Sequence, residues 1–262
     1  MNDFITKHNL TDVVKMNDCD PIYFCHSPIY GECVLKIGRA EIAMMKLYND
    51  TGKMCKLYEC DEDKNIVLIE RIIPGNALRD IPDVVTRAEV FCKVFKEFHF
   101  ITDNVENFPT YVNWVDDIAE YMLTNEKDNV KMCELMVIAQ KICHEMAEKY
   151  NRKYLLHGDF HHDNILLNSN GSYTVIDPKG VVGDPVFDTA RFLYNELADE
   201  NQVLQSAKKI SDILNIPLTD LLKLFFMEVM MGCCWSVEEG NRSASYIEYN
   251  VEVASNILSQ YC

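Results

Sequence analysis

The chain has 262 residues, of which 48% are hydrophobic and 25% are charged, so it is long enough to bury a core as one or two domains. Acidic residues outnumber basic ones by 41 to 25, and the net charge of −16 argues against nucleic acid or an anionic membrane as a partner and favours a cationic one. Eleven cysteines without a C-x-x-C pair, an N-terminus unlike a leader and the lack of a bilayer-length apolar run predict a reduced, cytoplasmic protein.

The first part of the chain is predicted to form a small sheet interrupted by one helix. Apolar residues at helical spacing predict a helix from Ala40 to Tyr48, which Gly52 would stop. The first strong break is the Ile-Pro-Gly of residues 73–75, so we expect a β-rich domain over residues 1–73. Runs rich in β-branched and aromatic residues place its strands at residues 22–24, 33–37, 56–58 and 66–69.

The remainder, residues 74–262, is predicted to be a mainly helical domain with a short β island. Asn170-Gly171 marks a hairpin turn inside that island. The net charge is −3 over residues 1–73 and −13 over residues 74–262, so the acidity belongs to the helical domain. Helical periodicity covers residues 84–98, 114–123, 130–150, 187–197, 202–214, 218–237 and 246–258, and the island holds strands at residues 154–156, 165–167 and 173–176.

The β island carries polar residues that point to phosphoryl transfer. Asp159 and Asn164 lie five positions apart in a loop between two apolar strands, and Asp177 ends the next strand. Transfer from ATP needs a carboxylate that receives or orients the attacking hydroxyl, together with hard oxygen ligands that hold Mg²⁺ on the phosphates. Asp159 fits the first role, whereas Asn164 and Asp177 fit the second.

The order His157, Asp159, Asn164 and Asp177, with its spacing, resembles the signature of the aminoglycoside phosphotransferase and choline kinase superfamily, a branch of the protein-kinase-like fold. The continuation over residues 176–188 is similar to the streptomycin 6-phosphotransferase and hydroxyurea phosphotransferase family, the aminoglycoside/hydroxyurea antibiotic resistance kinases. The resemblance covers most of the chain. It implies a bilobal α+β fold with a small β-rich N-lobe and a larger, mainly helical C-lobe.

The resemblance also implies roles around a bound nucleotide. Lys36, which alone would be taken for a solvated strand lysine, would pair with the α- and β-phosphates, and Glu41 would be its acidic partner. The linker would offer backbone groups of Glu70 and Ile72 to the adenine edge, and His157 would order the catalytic loop without transferring protons. Ile37, Leu68 and Ile176 would wall the adenine ring or, alternatively, belong to the plain core.

Several polar residues keep two interpretations at this stage. His161 and His162 suggest a metal site, but no third ligand stands at suitable spacing. Asp184 and Asp188 are either caps of the following helix or supports of the active-site loops, and Lys179 faces either phosphate or solvent. Two sets, Trp114 with Asp116 and Asp117, and Trp235 with Glu238 and Glu239, are either solvated helix ends or contacts for a cationic acceptor.

The sequence thus predicts ATP- and Mg²⁺-dependent phosphorylation of a hydroxyl of a streptomycin-like aminoglycoside. Asp159 would be the catalytic base, while Asn164 and Asp177 would hold the metal. The helical domain with its charge of −13 suits a cationic acceptor. Two alternatives stay open: a kinase of a metabolic small molecule such as a sugar, choline or a fructosamine, and a catalytically silent kinase-like binding module. The sequence predicts no oligomeric state.

Overall fold

The computed structural model describes residues 1–17, 20–38, 41–99, 101, 106–196 and 199–262, with residue 50 described by its backbone alone. Within these ranges the chain forms two compact units. The first unit comprises Met1–Asp80 and Asp163–Lys179, and the second comprises Ile81–His162 and Gly180–Cys262.

The first unit is built on an antiparallel five-stranded sheet in the order β1-β2-β3-β5-β4, whose strands are Thr11–Lys15 (β1), Ile22–Ser27 (β2), Gly31–Ile37 (β3), Leu57–Asp61 (β4) and Ile66–Glu70 (β5). Two helices accompany the sheet, Asn2–Lys7 (α1) and Ile42–Tyr48 (α2). The four predicted strands and the predicted helix are all present. The expected helix start at Ala40 lies outside the described residues.

Alternation along the strands decides which side chains of this sheet form its core. Leu35 pairs in register with Leu68, and both are fully buried in a cluster with Phe4 of α1. Because successive strand residues point to opposite faces, Lys36 faces away from this cluster. α1 and β1 were not predicted from the sequence. α1 has only six residues, and β1 has no buried face that would produce an alternating apolar pattern.

Five further short strands form two small sheets: Pro74–Ala77 (β6), Tyr154–Leu156 (β7), Ile165–Asn168 (β8), Tyr173–Val175 (β9) and Val181–Gly183 (β10). In the first unit the order is β6-β8-β9, and in the second β10 pairs with β7. The division after residue 80 therefore differs from the boundary predicted after residue 73. The cause is pairing: β6 binds β8, and the Cys55 N–H donates to the Val175 carbonyl at 3.0 Å, which ties residues 163–179 to the first unit.

The second unit is helical apart from β7 and β10. Its helices are Val84–Phe98 (α3), Tyr111–Asn125 (α4), Val130–Lys149 (α5), Val186–Tyr194 (α6), Glu200–Leu214 (α7), Leu218–Glu239 (α8) and Ala244–Tyr261 (α9). Side chains of Asp83, Thr110 and Ser243 cap three of them by accepting backbone N–H donors. The predicted extension of α6 to residue 197 was wrong, because the helix ends at Tyr194 and residues 195 and 196 form a turn, while residue 197 lies outside the described residues.

Helix α8 is the central helix of this unit, since α4, α5, α6, α7 and α9 all pack against it. A helix surrounded in this way is apolar on nearly every side, and α8 is buried over most of its length. Two buried carboxylates, Asp220 and the fully buried Glu228, interrupt the apolar pattern. In the described part of the chain, no helix is both long and apolar enough to cross a membrane.

Candidate active site

Lys36 and Asp177, the predicted phosphate lysine and metal ligand, meet in the first unit. Lys36 lies in mid-strand on β3, paired with Val67 of β5, and its side chain is 14% exposed. Its ammonium group forms an ion pair with the Asp177 carboxylate, although the two residues are 141 positions apart in the chain. Asp177 adopts a φ of +55°, in the left-handed region that Asp tolerates better than most residues. The fold thus brings the predicted phosphate lysine onto the predicted metal carboxylate.

Asn164 is placed beside Asp177 by the β8–β9 hairpin. It directly precedes β8, Asp177 closely follows β9, and the register pairs Ile165 with Val175. The Ile176 N–H donates to the Asn164 carbonyl at 3.0 Å. Asn164 and Asp177 therefore lie at the same end of the hairpin. An amide and a carboxylate at one strand end are oxygen ligands of the kind that Mg²⁺ prefers. The residues present therefore fit the expected metal.

Glu41, the predicted partner of Lys36, occupies the N-cap position of α2. Burial raises the pKa of this carboxyl, and the nearby Lys179 and Lys36 offset only part of that effect. Glu41 is therefore within electrostatic reach of both lysines, while the ion pair of Lys36 is made with Asp177. Lys179 accordingly lies near the predicted nucleotide-binding residues of the first unit.

The predicted linker residues and the predicted walls of the adenine ring lie in different surroundings. Glu70 ends β5, and its N–H donates to the Lys56 carbonyl at 2.9 Å, whereas Ile72 lies between β5 and β6 outside any strand. Leu68 belongs to the apolar cluster on the sheet face opposite Lys36, and Ile37 packs against that cluster. Both are core residues by strand alternation, so the structure favours that interpretation over ring contact.

In the second unit, His157 is fully buried and contacts the loop that carries Asp159. Its Nδ1 accepts from the Asp159 N–H at 3.1 Å, and its ring stacks on Phe160 with centroids 5.1 Å apart. The loop needs glycine at the next position. Gly158 has a φ of +76°, and a Cβ there would lie 2.8 Å from the Trp114 ring.

Asp188 anchors this loop from helix α6. Its fully buried carboxylate accepts from the His157 and Gly158 N–H groups, each at 2.9 Å, and lies 2.8 Å from His99 Nε2. The sequence left Asp188 as either a helix cap or a support of the loop. These hydrogen bonds favour the support of the loop. Asp184 does act near the helix start, because it accepts from the Val186 N–H and also pairs with Arg152.

The Asp159 carboxylate lies between two basic groups. His161 Nε2 is 3.6 Å and Arg191 Nε is 3.5 Å from its Oδ1 atom. Burial acts to raise the pKa of Asp159, but His161, Arg191 and His157 outweigh it and hold the pKa well below the ordinary value. The carboxylate is consequently ionised at neutral pH.

Asp159 opens into a cavity of about 280 Å³ that lies wholly within the second unit. Its lining combines aromatic, acidic and basic side chains. Trp235 and Glu239 of α8 are part of that lining, so one of the two predicted aromatic and acidic sets does reach the cavity. Trp114 instead packs on Gly158 and on Trp235, and Asp116 binds Gln140 and His144. The further lining residues include Tyr194, Asn195, Ser236, Asn241, Arg242 and Tyr246.

His161 and His162 point to different carboxylates, which explains their presence without a shared metal. His161 faces Asp159, whereas His162 Nε2 lies 2.8 Å from Glu196 and its ring stacks on Phe192. Among the residues that the structure describes, no three His, Cys, Asp or Glu side chains come together as a metal site.

Sequence reasoning missed Arg191 and Glu228, which pair at 2.8 Å, and Tyr111, whose hydroxyl donates to Glu228. The sequence did contain a signal for them, because charged residues within a mostly apolar helix indicate a buried ion pair. That signal names the residues but not their partners.

Comparison with solved structures defines the class of protein. A choline kinase, LicA, from Streptococcus pneumoniae superposes with a TM-score of 0.71 at 14% identity, over 99% of this chain and 97% of the other. The aminoglycoside phosphotransferase APH(4)-Ia, in a ternary complex with ADP and hygromycin B, gives 0.72 at 13% identity over 98% and 97%. A choline/ethanolamine kinase family protein from Mesorhizobium loti gives 0.70 at 12% identity over 95% and 88%. The fold is therefore that of the protein-kinase-like phosphotransferases.

The family follows from a sequence model. Residues 37–220, well over half of the chain, match the aminoglycoside/hydroxyurea antibiotic resistance kinases, and the chain belongs to that family. No curated protein sequence matches the chain. The protein is thus a small-molecule kinase, a phosphotransferase that acts on hydroxyl groups.

Proposed function

We propose that the protein transfers the γ-phosphoryl group of Mg·ATP to a hydroxyl of a streptomycin-like aminoglycoside. The observation that carries this proposal is the ionised Asp159 carboxylate, which opens into a cavity of about 280 Å³ lined by Trp235 and Glu239. A base at the mouth of a polar cavity is the arrangement that activation of a bound hydroxyl requires.

Lys36, Asn164 and Asp177 supply the nucleotide side. Lys36 would bind the α- and β-phosphates once ATP draws it away from Asp177, its partner in this structure. Asn164 and Asp177 would hold Mg²⁺, which when bound neutralises phosphate charge. Glu41 would then take up the role of balancing Lys36, because it already lies within electrostatic reach of that lysine.

Asp159 acts on the acceptor. Its carboxylate accepts a hydrogen bond from the hydroxyl, aims the oxygen at the γ-phosphorus and takes the proton as the new P–O bond forms. The bond from the γ-phosphorus to the bridging oxygen breaks at the same time, and ADP leaves with the electron pair. The proton passes from Asp159 to solvent, because the lowered pKa of the carboxyl favours its release.

The acceptor class is argued from the cavity lining. Trp235 and Glu239 stand one helical turn apart on α8, which places an aromatic face and a carboxylate side by side. Such a pair binds guanidinium or ammonium groups, and streptomycin carries guanidinium groups. The net charge of −13 over residues 74–262 acts in the same direction at longer range.

The test is ADP release by the purified protein with Mg·ATP and a panel of streptomycin, other aminoglycosides, hydroxyurea, choline and simple sugars. We expect streptomycin to stimulate release, and Asp159→Ala to abolish the stimulation. Asp116→Ala is the matched control, because Asp116 binds His144 and Gln140 and does not line the cavity. It should keep near-normal activity.

Other results would redirect the proposal. Stimulation by hydroxyurea or a metabolite alone would keep the chemistry and discard the aminoglycoside. Full activity of Asp159→Ala would remove Asp159 from the base role. Mg·ATP binding without turnover on any acceptor would support the silent binding module.

A further inference from the structure

A guanidinium is buried directly behind the Asp159 carboxylate. Arg191, on α6, has a side chain that is only 14% exposed, and its Nε lies 3.5 Å from Asp159 and 2.8 Å from Glu228. Glu228 is fully buried on α8, and the Tyr111 hydroxyl of α4 donates to its second oxygen. Three helices thus contribute to one chain of contacts that ends at Asp159.

The surroundings of Arg191 favour its charged form. Burial works to lower the pKa of Arg191, but Glu228 and Asp159 outweigh it and raise the pKa further above its usual range. Burial raises the pKa of Glu228, and Arg191 and Tyr111 oppose that rise. Of the basic groups that face Asp159, Arg191 is the guanidinium, whose charge does not depend on pH in the range where proteins fold.

Stability alone does not account for this arrangement. Arg191 is already paired by Glu228, and a buried ion pair is on average no more stabilising than apolar residues of similar volume. Arg191 nevertheless also lines the cavity and faces Asp159. The Arg191 Nε thus lies between two carboxylates, and its positive charge attracts the Asp159 carboxylate toward one position.

We propose that Arg191 is a positioning residue for phosphoryl transfer: Glu228, itself bound by the Tyr111 hydroxyl, holds the Arg191 guanidinium, and the guanidinium fixes and keeps ionised the Asp159 carboxylate. This inference rests on the proposed function, in which Asp159 receives the acceptor hydroxyl.

The variant that tests it is Arg191→Met combined with Glu228→Gln. Arg191→Met alone would leave Glu228 buried without a cation and could unfold the chain, whereas the pair removes both charges and keeps a hydrogen-bond acceptor for Tyr111. Helix α8 offers a matched control in Asp220, a buried carboxylate bound by Lys149 and by the Tyr150 hydroxyl. The control variant is Lys149→Met with Asp220→Asn.

Two measurements are made on each variant: steady-state kinetics with Mg·ATP and streptomycin, and a pH titration of the Asp159 carboxyl by ¹³C NMR. We expect the Arg191→Met, Glu228→Gln variant to lose about 100-fold in kcat with an unchanged KM for ATP, since misplacing one catalytic group costs on that order. The Asp159 titration should move to higher pH. The single variant Arg191→Lys should have a kcat between those of the wild type and the Arg191→Met, Glu228→Gln variant. Lysine keeps the positive charge but lacks the planar shape of the guanidinium. The Lys149→Met, Asp220→Asn control should change neither readout.

The outcomes separate this inference from the proposed function. An unchanged kcat or an unmoved Asp159 titration in the Arg191 variant would overturn the role of Arg191, provided Asp159→Asn is inactive. If Asp159→Asn retains activity, the proposed function fails, and the NMR titration alone decides whether Arg191 holds that carboxyl.

Discussion

At the residue scale, the catalytic loop is fixed by groups that leave it little freedom. Asp188 accepts from two consecutive loop N–H groups, and the His157 ring accepts from the Asp159 N–H. Gly158 must be glycine, because its positive φ and the Trp114 ring together exclude a Cβ. A loop with its backbone donors so bound presents Asp159 in one position, as the in-line transfer proposed above would require.

The acceptor side makes a prediction about one carboxylate. Glu239→Gln should raise the KM for streptomycin about fivefold, because the loss of an exposed charge contact costs about 1 kcal/mol. The KM for ATP should stay the same. Neighbouring Glu238 is the control: it is exposed on the same helix turn but is not part of the cavity lining, so Glu238→Gln should leave both KM values unchanged. Equal effects of the two substitutions would remove Glu239 from the acceptor site.

At the scale of elements, a second buried ion pair joins helices of the second unit to the catalytic loop. Arg87 of α3 binds Glu196 through Nε at 2.9 Å and Nη2 at 2.6 Å. The same carboxylate meets His162 of the loop at 2.8 Å and Ser206 of α7 at 3.4 Å. Glu196 thus holds two helices and the loop at a single point.

Removing one partner of this ion pair should destabilise the folded protein, and removing both charges should restore part of the lost stability. Arg87→Met leaves Glu196 buried without its cation and should lower the free energy of unfolding by about 3 to 5 kcal/mol. Arg87→Met with Glu196→Gln should recover much of that loss. Urea unfolding at pH 7 measures both. Glu89→Gln is the control, since Glu89 joins α3 to α7 through Lys209 at the surface and should cost less than about 1 kcal/mol. A single variant as stable as the wild type would contradict the prediction.

The same carboxylate makes stability depend on pH. Burial acts to raise the pKa of Glu196, but hydrogen bonds from His162 and Arg87 outweigh it and lower the pKa below its ordinary 4.5. A group whose pKa is lower in the folded state stabilises the protein above its unfolded pKa, and the contribution is lost as pH falls through the folded value. Wild-type stability should therefore fall as the pH drops below about 4.5, and the decline should be shallower in the Arg87→Met, Glu196→Gln variant. If the free energy of unfolding falls equally steeply with decreasing pH in the two proteins, Glu196 makes no such contribution.

At the scale of the whole molecule, linear patterns predicted the class of fold, and long-range pairing supplied what they lacked. The motif from His157 to Asp177 lies within 21 residues, so its spacing could be recognised directly. The pairing of β6 with β8, by contrast, moved the boundary from residue 73 to residue 80. Arg191, Glu228 and Tyr111 come from three helices, and periodicity shows that each helix is buried without showing which polar groups meet.

The charge of the whole chain gives a last prediction, about the rate at which the acceptor arrives. A net charge of −16, most of it in residues 74–262, attracts a cationic acceptor over distances comparable with the Debye length, about 10 Å at 0.1 M salt. The value of kcat/KM for streptomycin should therefore fall as KCl is raised from about 20 to about 300 mM, because salt screens that attraction. The value of kcat at saturating streptomycin should be nearly constant and thereby controls for salt effects on ATP and on the enzyme itself. If kcat falls in parallel with kcat/KM, the acidic surface does not steer the acceptor, and its charge serves solubility alone.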